Sequence, residues 1–375
     1  MVQKSPQRPF RNPHQDRSPV LRIRAGQNVL ITLLSFAFSV SATRLFLEIS
    51  GYPKLGGGNL HFAHVLWGGL FLFAATLIPI IILNDWAAPL SALLSGLGVG
   101  LFIDEVGKFI TTSNDYFYPS AAPIVYVFFL LTVLLFSQVR LRRELTLRDK
   151  FYGVFERFSE VLDRDLSAYE REDLIKSLAE IRKGNDHELS KLADALIEFL
   201  KTQQPHFRLH RPNLIDRIRL RILNFEQKKL TRPRMRVLIV ICLIGCGIWL
   251  LVTPALYHQI VGNELRLQEM VDTMIAQNLI SNPNSGLTWF ETRVIMEGGM
   301  GVLMIISALL IAFKAENFGL WLGLTILIIA LCLVNLLVFY FDQFSSILVA
   351  AYEFFVLTLI IRYRKRFVKS VPISK

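Results

Sequence analysis

Asp104, Glu105 and Lys108 fall within five positions of one another at the end of an apolar run, in LFIDEVGKFITTSNDYFYP at 101–119. His61 and His64 stand three apart in GGGNLHFAHVLWGG at 56–69, so one helical face carries both. Arg44 and Glu48 close an earlier apolar run, four apart. Three chemistries are open to such a set. Two imidazoles and a carboxylate could hold a divalent metal such as zinc with a water position left open. His61, His64 and Asp104 would then be the ligands, and Glu105 or Asp115 the catalytic acceptor of the water's proton, as in a metal-dependent membrane hydrolase. Without metal, the same groups suit a transporter or proton-linked permease. The third chemistry is an ion-paired network of Arg44, Glu48, Asp104, Lys108, Asn114 and Glu297 that orients helices or takes a small polar or lipid-headgroup ligand. The spacing is HxxH rather than the HExxH of zinc proteases, and by itself it selects none of the three.

Within the charged stretch, Asp104 and Lys108 are four apart with the acid first, the favourable order for a pair on one helix face. Glu105 is turned by about 100° from Asp104 and needs another partner. Upstream, Ala92, Gly96, Gly100 and Asp104 recur every four residues. Small residues at that spacing let a second helix approach closely. The GLGVG segment is not a dinucleotide fingerprint, because no strand precedes it. Asn114, Asp115, Tyr116 and Tyr118 follow in the next loop.

The elements that must position these groups are membrane spans. Of the 375 residues, 53% are hydrophobic and 19% charged, against roughly 25% charged in soluble domains. Eight runs reach the ~20 apolar residues a crossing needs: 28–48, 62–83, 88–109, 122–139, 236–256, 294–313, 318–340 and 345–361. They are continuous rather than alternating, which excludes a β-barrel. The expected fold is therefore an all-α polytopic membrane protein with eight transmembrane helices. The first run is read as a retained anchor, since its basic lead is long and its apolar stretch continues through LFLEI.

Lys and Arg cluster in 1–27, after the fourth run at Arg140, Arg142 and Arg143, before the fifth at 228–236, and in 362–375. An even number of crossings puts all four clusters on the cytoplasmic side of the plasma membrane, with both termini inside. The net charge of +11 follows from that topology and from attraction to anionic lipid headgroups at the cytoplasmic face. No nucleic-acid motif accompanies it.

The halves share a faint pattern, YVFFLLT at 126–132 against YEFFVLT at 352–358, which fits a parallel four-plus-four repeat. Residues 28–139 and 236–361 hold the two sets of spans. Between them, 140–235 reads as a small helical cytoplasmic insert, with apolar spacing over 151–162, 174–181 and 189–200. Its capping boxes are Ser167-x-x-Glu170 and Asn185-x-x-Glu188. A basic amphipathic stretch at 213–230 suits the inner leaflet. The insert is the natural surface for an oligomer or protein partner. The external loop, 257–292, carries a short amphipathic helix and a turn cluster, Asn282–Gly286. Glu297, Asn335 and Glu353 are polar groups inside later spans, and Glu297 and Glu353 could reach Arg44 or Lys108. Cys242, Cys246 and Cys332 read as packing residues.

If this topology is right, single cysteines introduced at positions 54 and 190 of a cysteine-free background react with a membrane-impermeant maleimide from opposite sides of sealed vesicles. Labelling of both from one side would sink the topology.

Overall fold

The computed structural model of the chain describes residues 19–51, 64–112, 115–116, 118–140, 146–162, 168–184, 186–202, 230–277, 279–280, 283–313 and 315–368. His61, Asn114, Ser167, Asn185 and the 213–230 stretch lie outside the described residues. Among the described residues every regular element is a helix. In order they are α1 (Ala25–Ser50), α2 (His64–Ile81), α3 (Ala87–Asp104), α4 (Val106–Ile110), α5 (Ala121–Arg140), α6 (Leu147–Leu162), α7 (Ala168–Arg182) and α8 (His187–Thr202). Then follow α9 (Arg232–Val261), α10 (Glu264–Ala276), α11 (Pro283–Ala312), α12 (Glu316–Ile329), α13 (Asn335–Asp342) and α14 (Ile347–Phe367). A π-helical turn, Ala330–Val334, joins α12 to α13, and a 3-10 turn, Gln343–Ser346, joins α13 to α14.

Among the described residues, seven helical stretches are long and apolar enough to cross a membrane, and the chain is a multi-pass integral membrane protein. The seventh, Glu316–Phe367, has 52 residues. Straight, it would run ~78 Å at 1.5 Å per residue, far beyond the ~30 Å hydrocarbon layer. It breaks at Gln343, whose φ of 49° is the single positive value outside glycine among the described residues. The bend falls between the runs 318–340 and 345–361 of the sequence reading.

The chain divides into two compact units. One comprises Met1–Ser41, Gly69–Val99 and Thr132–Arg211. Here the small-residue stripe of α3 meets α1. A Cβ on Gly96 would lie 1.9 Å from Ser35 Oγ and 2.3 Å from the Thr32 carbonyl oxygen. At that approach Thr32 Oγ1 donates to the Ala92 carbonyl at 3.1 Å, and Ser39 Oγ to Leu97 at 3.0 Å. Ser91 Oγ reaches the Ala75 carbonyl at 2.6 Å, tying α3 to α2. Interhelical hydrogen bonds of this kind replace the hydrophobic drive that lipid removes. In α6–α8, Phe151, Val154, Leu174, Leu178, Ile181, Ala193, Ile197 and Leu200 form the core. Phe155 and Leu162 share the expected spacing but face outward. The α8 cap falls on Asp186, whose Oδ1 accepts from the Glu188 and Leu189 amides. Arg171 closes the other end of α8 on the Leu200 and Lys201 carbonyls.

The other unit comprises Ala42–Gly68, Gly100–Leu131 and Pro212–Lys375. Its core lies among α9, α11, α12 and α14 around Met235, Leu243, Met304, Ile311, Leu327 and Ile360. The α9–α11 crossing is set by Gly247 and Gly301, where a Cβ on either would lie 2.8 Å from the other's carbonyl oxygen. Arg236 Nε donates to the Ile311 carbonyl at 2.9 Å and Nη2 to Ala312 at 3.0 Å, satisfying the open end of α11. The expected amphipathic helix of the external loop is α10, capped by the Asn263 side chain. The expected turn at Asn282–Gly286 is a correction. Pro283 opens α11, which begins eleven residues before the predicted span. Proline is suited to a first helical turn, because the amide it lacks has no partner there. Gly286 sits inside that turn, where Ile280 Cγ2 would lie 2.3 Å from an added Cβ.

Gly247→Val should destabilise the α9–α11 crossing by about 1–3 kcal/mol, the usual cost of overpacking. Gly299, with nothing within 4 Å of an added Cβ, should accept alanine within about 0.5 kcal/mol. Thermal unfolding in detergent micelles reads both, and equal costs would disprove the crossing.

Candidate functional site

The charged stretch is not one helix. After Asp104 the α-helix stops, and Glu105 has φ −89° and ψ 9° before α4 restarts at Val106. The Lys108 amide bonds to the Glu105 carbonyl, a three-residue step. This break corrects the expected Asp104–Lys108 pair, whose four-residue geometry needs an unbroken helix. Lys108 Nζ instead lies 3.4 Å from Glu105 Oε1.

Asp104, fully buried, is the centre of the arrangement. Arg44 Nε donates to its Oδ1 at 2.6 Å, and Arg44 Nη2 to its backbone carbonyl at 3.1 Å. Tyr116 donates its hydroxyl to Oδ2 at 2.6 Å, and His64 Nε2 lies 3.1 Å from the same oxygen. The other imidazole nitrogen, Nδ1, lies 2.9 Å from Glu105 Oε1, an ion-pair contact rather than a hydrogen bond by its angles. The Arg44 guanidinium is held between two rings, 4.1 Å from the Tyr116 centroid and 3.8 Å from that of Phe344.

Gly107 lets the loop fold over this cluster. A Cβ there would lie 2.7 Å from the Asp115 carbonyl oxygen. Thr111 fastens the return: its hydroxyl donates to the Gly107 carbonyl and accepts from the Asp115 amide, each at 2.8 Å. Tyr116 is thereby pressed against Asp104. Burial, followed by the Asp104 charge, pushes the Tyr116 phenol well above its ordinary range, so it remains a hydroxyl donor.

The site thus unites Arg44, His64, Asp104, Glu105 and Lys108. Glu48 is exposed and stands outside it. Glu297, which could have reached Arg44 or Lys108, pairs on its own helix with Arg293, Nε to Oε1 at 3.0 Å. Glu353 is bound by Asn335, Nδ2 to Oε2 at 2.7 Å. His61 and Asn114 fall outside the described residues. Among the described residues, no group of three or more His, Cys, Asp and Glu side chains is arranged to hold a metal. Both nitrogens of His64 already face carboxylates, so coordination by His64 would displace Asp104 or Glu105.

Two arrangements escaped the sequence reading. Phe344, in the short stretch between the predicted runs 318–340 and 345–361, gave no signal of its cation-facing role. Arg293, between the predicted loop 257–292 and the predicted span from 294, is buried inside α11 and donates Nη1 to Asp342 Oδ1 at 2.8 Å, with Nη2 on the other carboxylate oxygen. Its spacing of four from Glu297 was the available clue. Beside Asp342 opens a cavity of about 400 Å³, lined by Asp115, Ala276, Gln277, Leu279, Phe341, Asp342 and Gln343.

No family model matches the sequence, and neither a curated protein nor a solved structure matches it significantly.

Removing one member of the Arg44–Asp104 pair leaves a buried charge stranded, at about 3–5 kcal/mol. The double change Arg44→Met with Asp104→Leu should cost clearly less than the sum of the singles. Its coupling energy, from unfolding in micelles, should exceed that of Asp104 with Lys108. The reverse order would restore the pairing expected from the sequence.

Proposed function

We propose that the protein is an eight-span plasma-membrane protein with both termini in the cytoplasm, whose outward end binds a small polar ligand. The break at Gln343 supports counting the last long stretch as two crossings. The resulting even number agrees with the four basic clusters. The anionic cytoplasmic leaflet and partners of the 140–235 insert then lie on the opposite side from the ligand.

The observation that carries this reading is the cavity of about 400 Å³, within the ~300–1,000 Å³ range of small-molecule sites. Three separate segments supply its polar lining: Asp115 from the loop, Gln277 after α10, and Asp342 with Gln343 at the break. The neighbouring network supports the same division of labour. Arg44 and Lys108 balance Asp104 and Glu105 with His64 between them, which suits a clasp that fixes helix ends rather than a site awaiting a substrate. Asp342 is already paired with Arg293, so the Asp115 carboxylate and the two amides are what favour a ligand with a cationic group. A lipid amine headgroup and a free amine share that chemistry.

The test is thermal stabilisation of the purified full chain by ethanolamine and phosphoethanolamine in detergent, and by phosphatidylethanolamine in nanodiscs. A shift with the soluble amines assigns a free solute, and a shift only in nanodiscs a headgroup. Asp115→Asn should weaken binding about tenfold or more, since a charge-assisted hydrogen bond contributes roughly 1.5–3 kcal/mol. No stabilisation by any of these probes, or stabilisation indifferent to Asp115→Asn, would refute this site.

A further inference from the structure

The second charged cluster has a different balance from the first. Arg293 is the cation that pairs with Glu297 and Asp342. Glu353 lies within electrostatic reach of Glu297, and no cation pairs with it among the described residues. One guanidinium therefore serves two carboxyl groups, and the third, Glu353, meets only the neutral Asn335 amide. Asp342 is partly exposed at the cavity. Glu297 and Glu353 are 3% and 1% exposed, and each keeps one carboxyl oxygen, Glu297 Oε2 and Glu353 Oε1, without a hydrogen-bond partner.

The surroundings of Glu353 add no charge. Tyr126 faces it from α5 and Asn335 from α13. Cys246 faces it from α9, beside Cys242. Tyr352, its neighbour on α14, turns its hydroxyl to the Cys242 carbonyl. Among the described residues, α12 directs no charged group at it. Asn335 is placed by the π-turn: its amide bonds back five residues to the Ala330 carbonyl. The Tyr126 hydroxyl donates to the Leu331 carbonyl in that turn at 2.7 Å. Single π-turns concentrate at functional sites. This one sets an amide donor against a buried carboxyl where an ordinary helix would have continued its own ladder.

With Arg293 paired to Glu297 and Asp342 and no cation opposite Glu353 among the described residues, ionising both buried glutamates would leave an uncompensated charge in a membrane-spanning core, which burial makes too costly to keep. We propose that Glu297 and Glu353 together hold one exchangeable proton, forming a protonation site within the spans of the second unit. The proton resides as O–H on one of the two carboxyls. Its departure leaves the pair with one further negative charge and only Arg293 to offset it. The site is separate from the ligand cavity, and either proposal can fail alone.

Infrared spectroscopy of the full-length protein in liposomes tests this directly. At neutral pH the protein should show the C=O stretch of a protonated carboxylic acid, which moves on transfer to D2O and is lost at alkaline pH. The band should disappear in the double variant Glu297→Gln, Glu353→Gln. Should that variant not fold, wild-type protein carrying 13C-labelled glutamate shows whether the band belongs to a glutamate, and the single variants Glu297→Gln and Glu353→Gln assign it, since at least one must change it. A folded wild type without the band at neutral pH would overturn the proposal. So would a band that survives both substitutions at full amplitude, or one that glutamate labelling leaves in place.

Discussion

A carboxylate withdrawn from water must meet positive charge or hydrogen-bond donors, and the Asp104 side chain shows how much structure that requirement organises. Its oxygens are met by Arg44 from α1, His64 from α2 and Tyr116 from the loop after α4. Three segments far apart in sequence must therefore arrive at one point. Arg44 brings its own demand, since a guanidinium has more donor capacity than one carboxylate satisfies. The Asp104 backbone carbonyl and the faces of Tyr116 and Phe344 take up the rest. Each contact constrains the next, so the ends of the helices are fixed by charge where apolar surface cannot fix them. In lipid, apolar faces are at home anywhere, and directional polar contacts decide which helices neighbour which.

The helix break at Glu105 belongs to the same constraint. An unbroken helix would have placed Lys108 over Asp104 and carried Glu105 round to another face. With the break, Glu105 lies beside His64 and Lys108, and both carboxylates are matched within one cluster. Glycine at 107 makes this practicable by letting the loop backbone lie against α4. The motif that first looks like a run of charges is therefore a turn of the chain built around them.

Much of the architecture was legible in the sequence because the bilayer makes it so. Length and apolarity mark the helices, and the small-residue stripe through Gly96 gave the close approach of α1 and α3. Residue-level pairing was less legible. Asp104 and Lys108 had the spacing of a helical pair, but spacing presumes a helix, and no local signal announced the stop at Glu105. Arg293 falls between the predicted loop 257–292 and the predicted span from 294, whereas α11 continues back to Pro283, and Gly286 in its first turn lies against Ile280. Phe344 could not be read at all: an aromatic ring between two apolar runs does not declare the cation it faces.

The two buried clusters differ in what their charge counts allow. Around Asp104 each carboxylate faces cations or donors, Asp104 meeting Arg44, His64 and Tyr116, and Glu105 meeting His64 and Lys108. Around Arg293 the carboxyls outnumber the cation, and on the proposed reading protonation accommodates them. A matched network resists change and suits a fixed joint. An unmatched one has two states differing by a single proton. On the proposed reading, the membrane protein thus carries a rigid joint in one cluster and a movable charge in the other. The difference is that, among the described residues, no cation stands opposite Glu353, which the neutral amide of Asn335 meets after the π-turn.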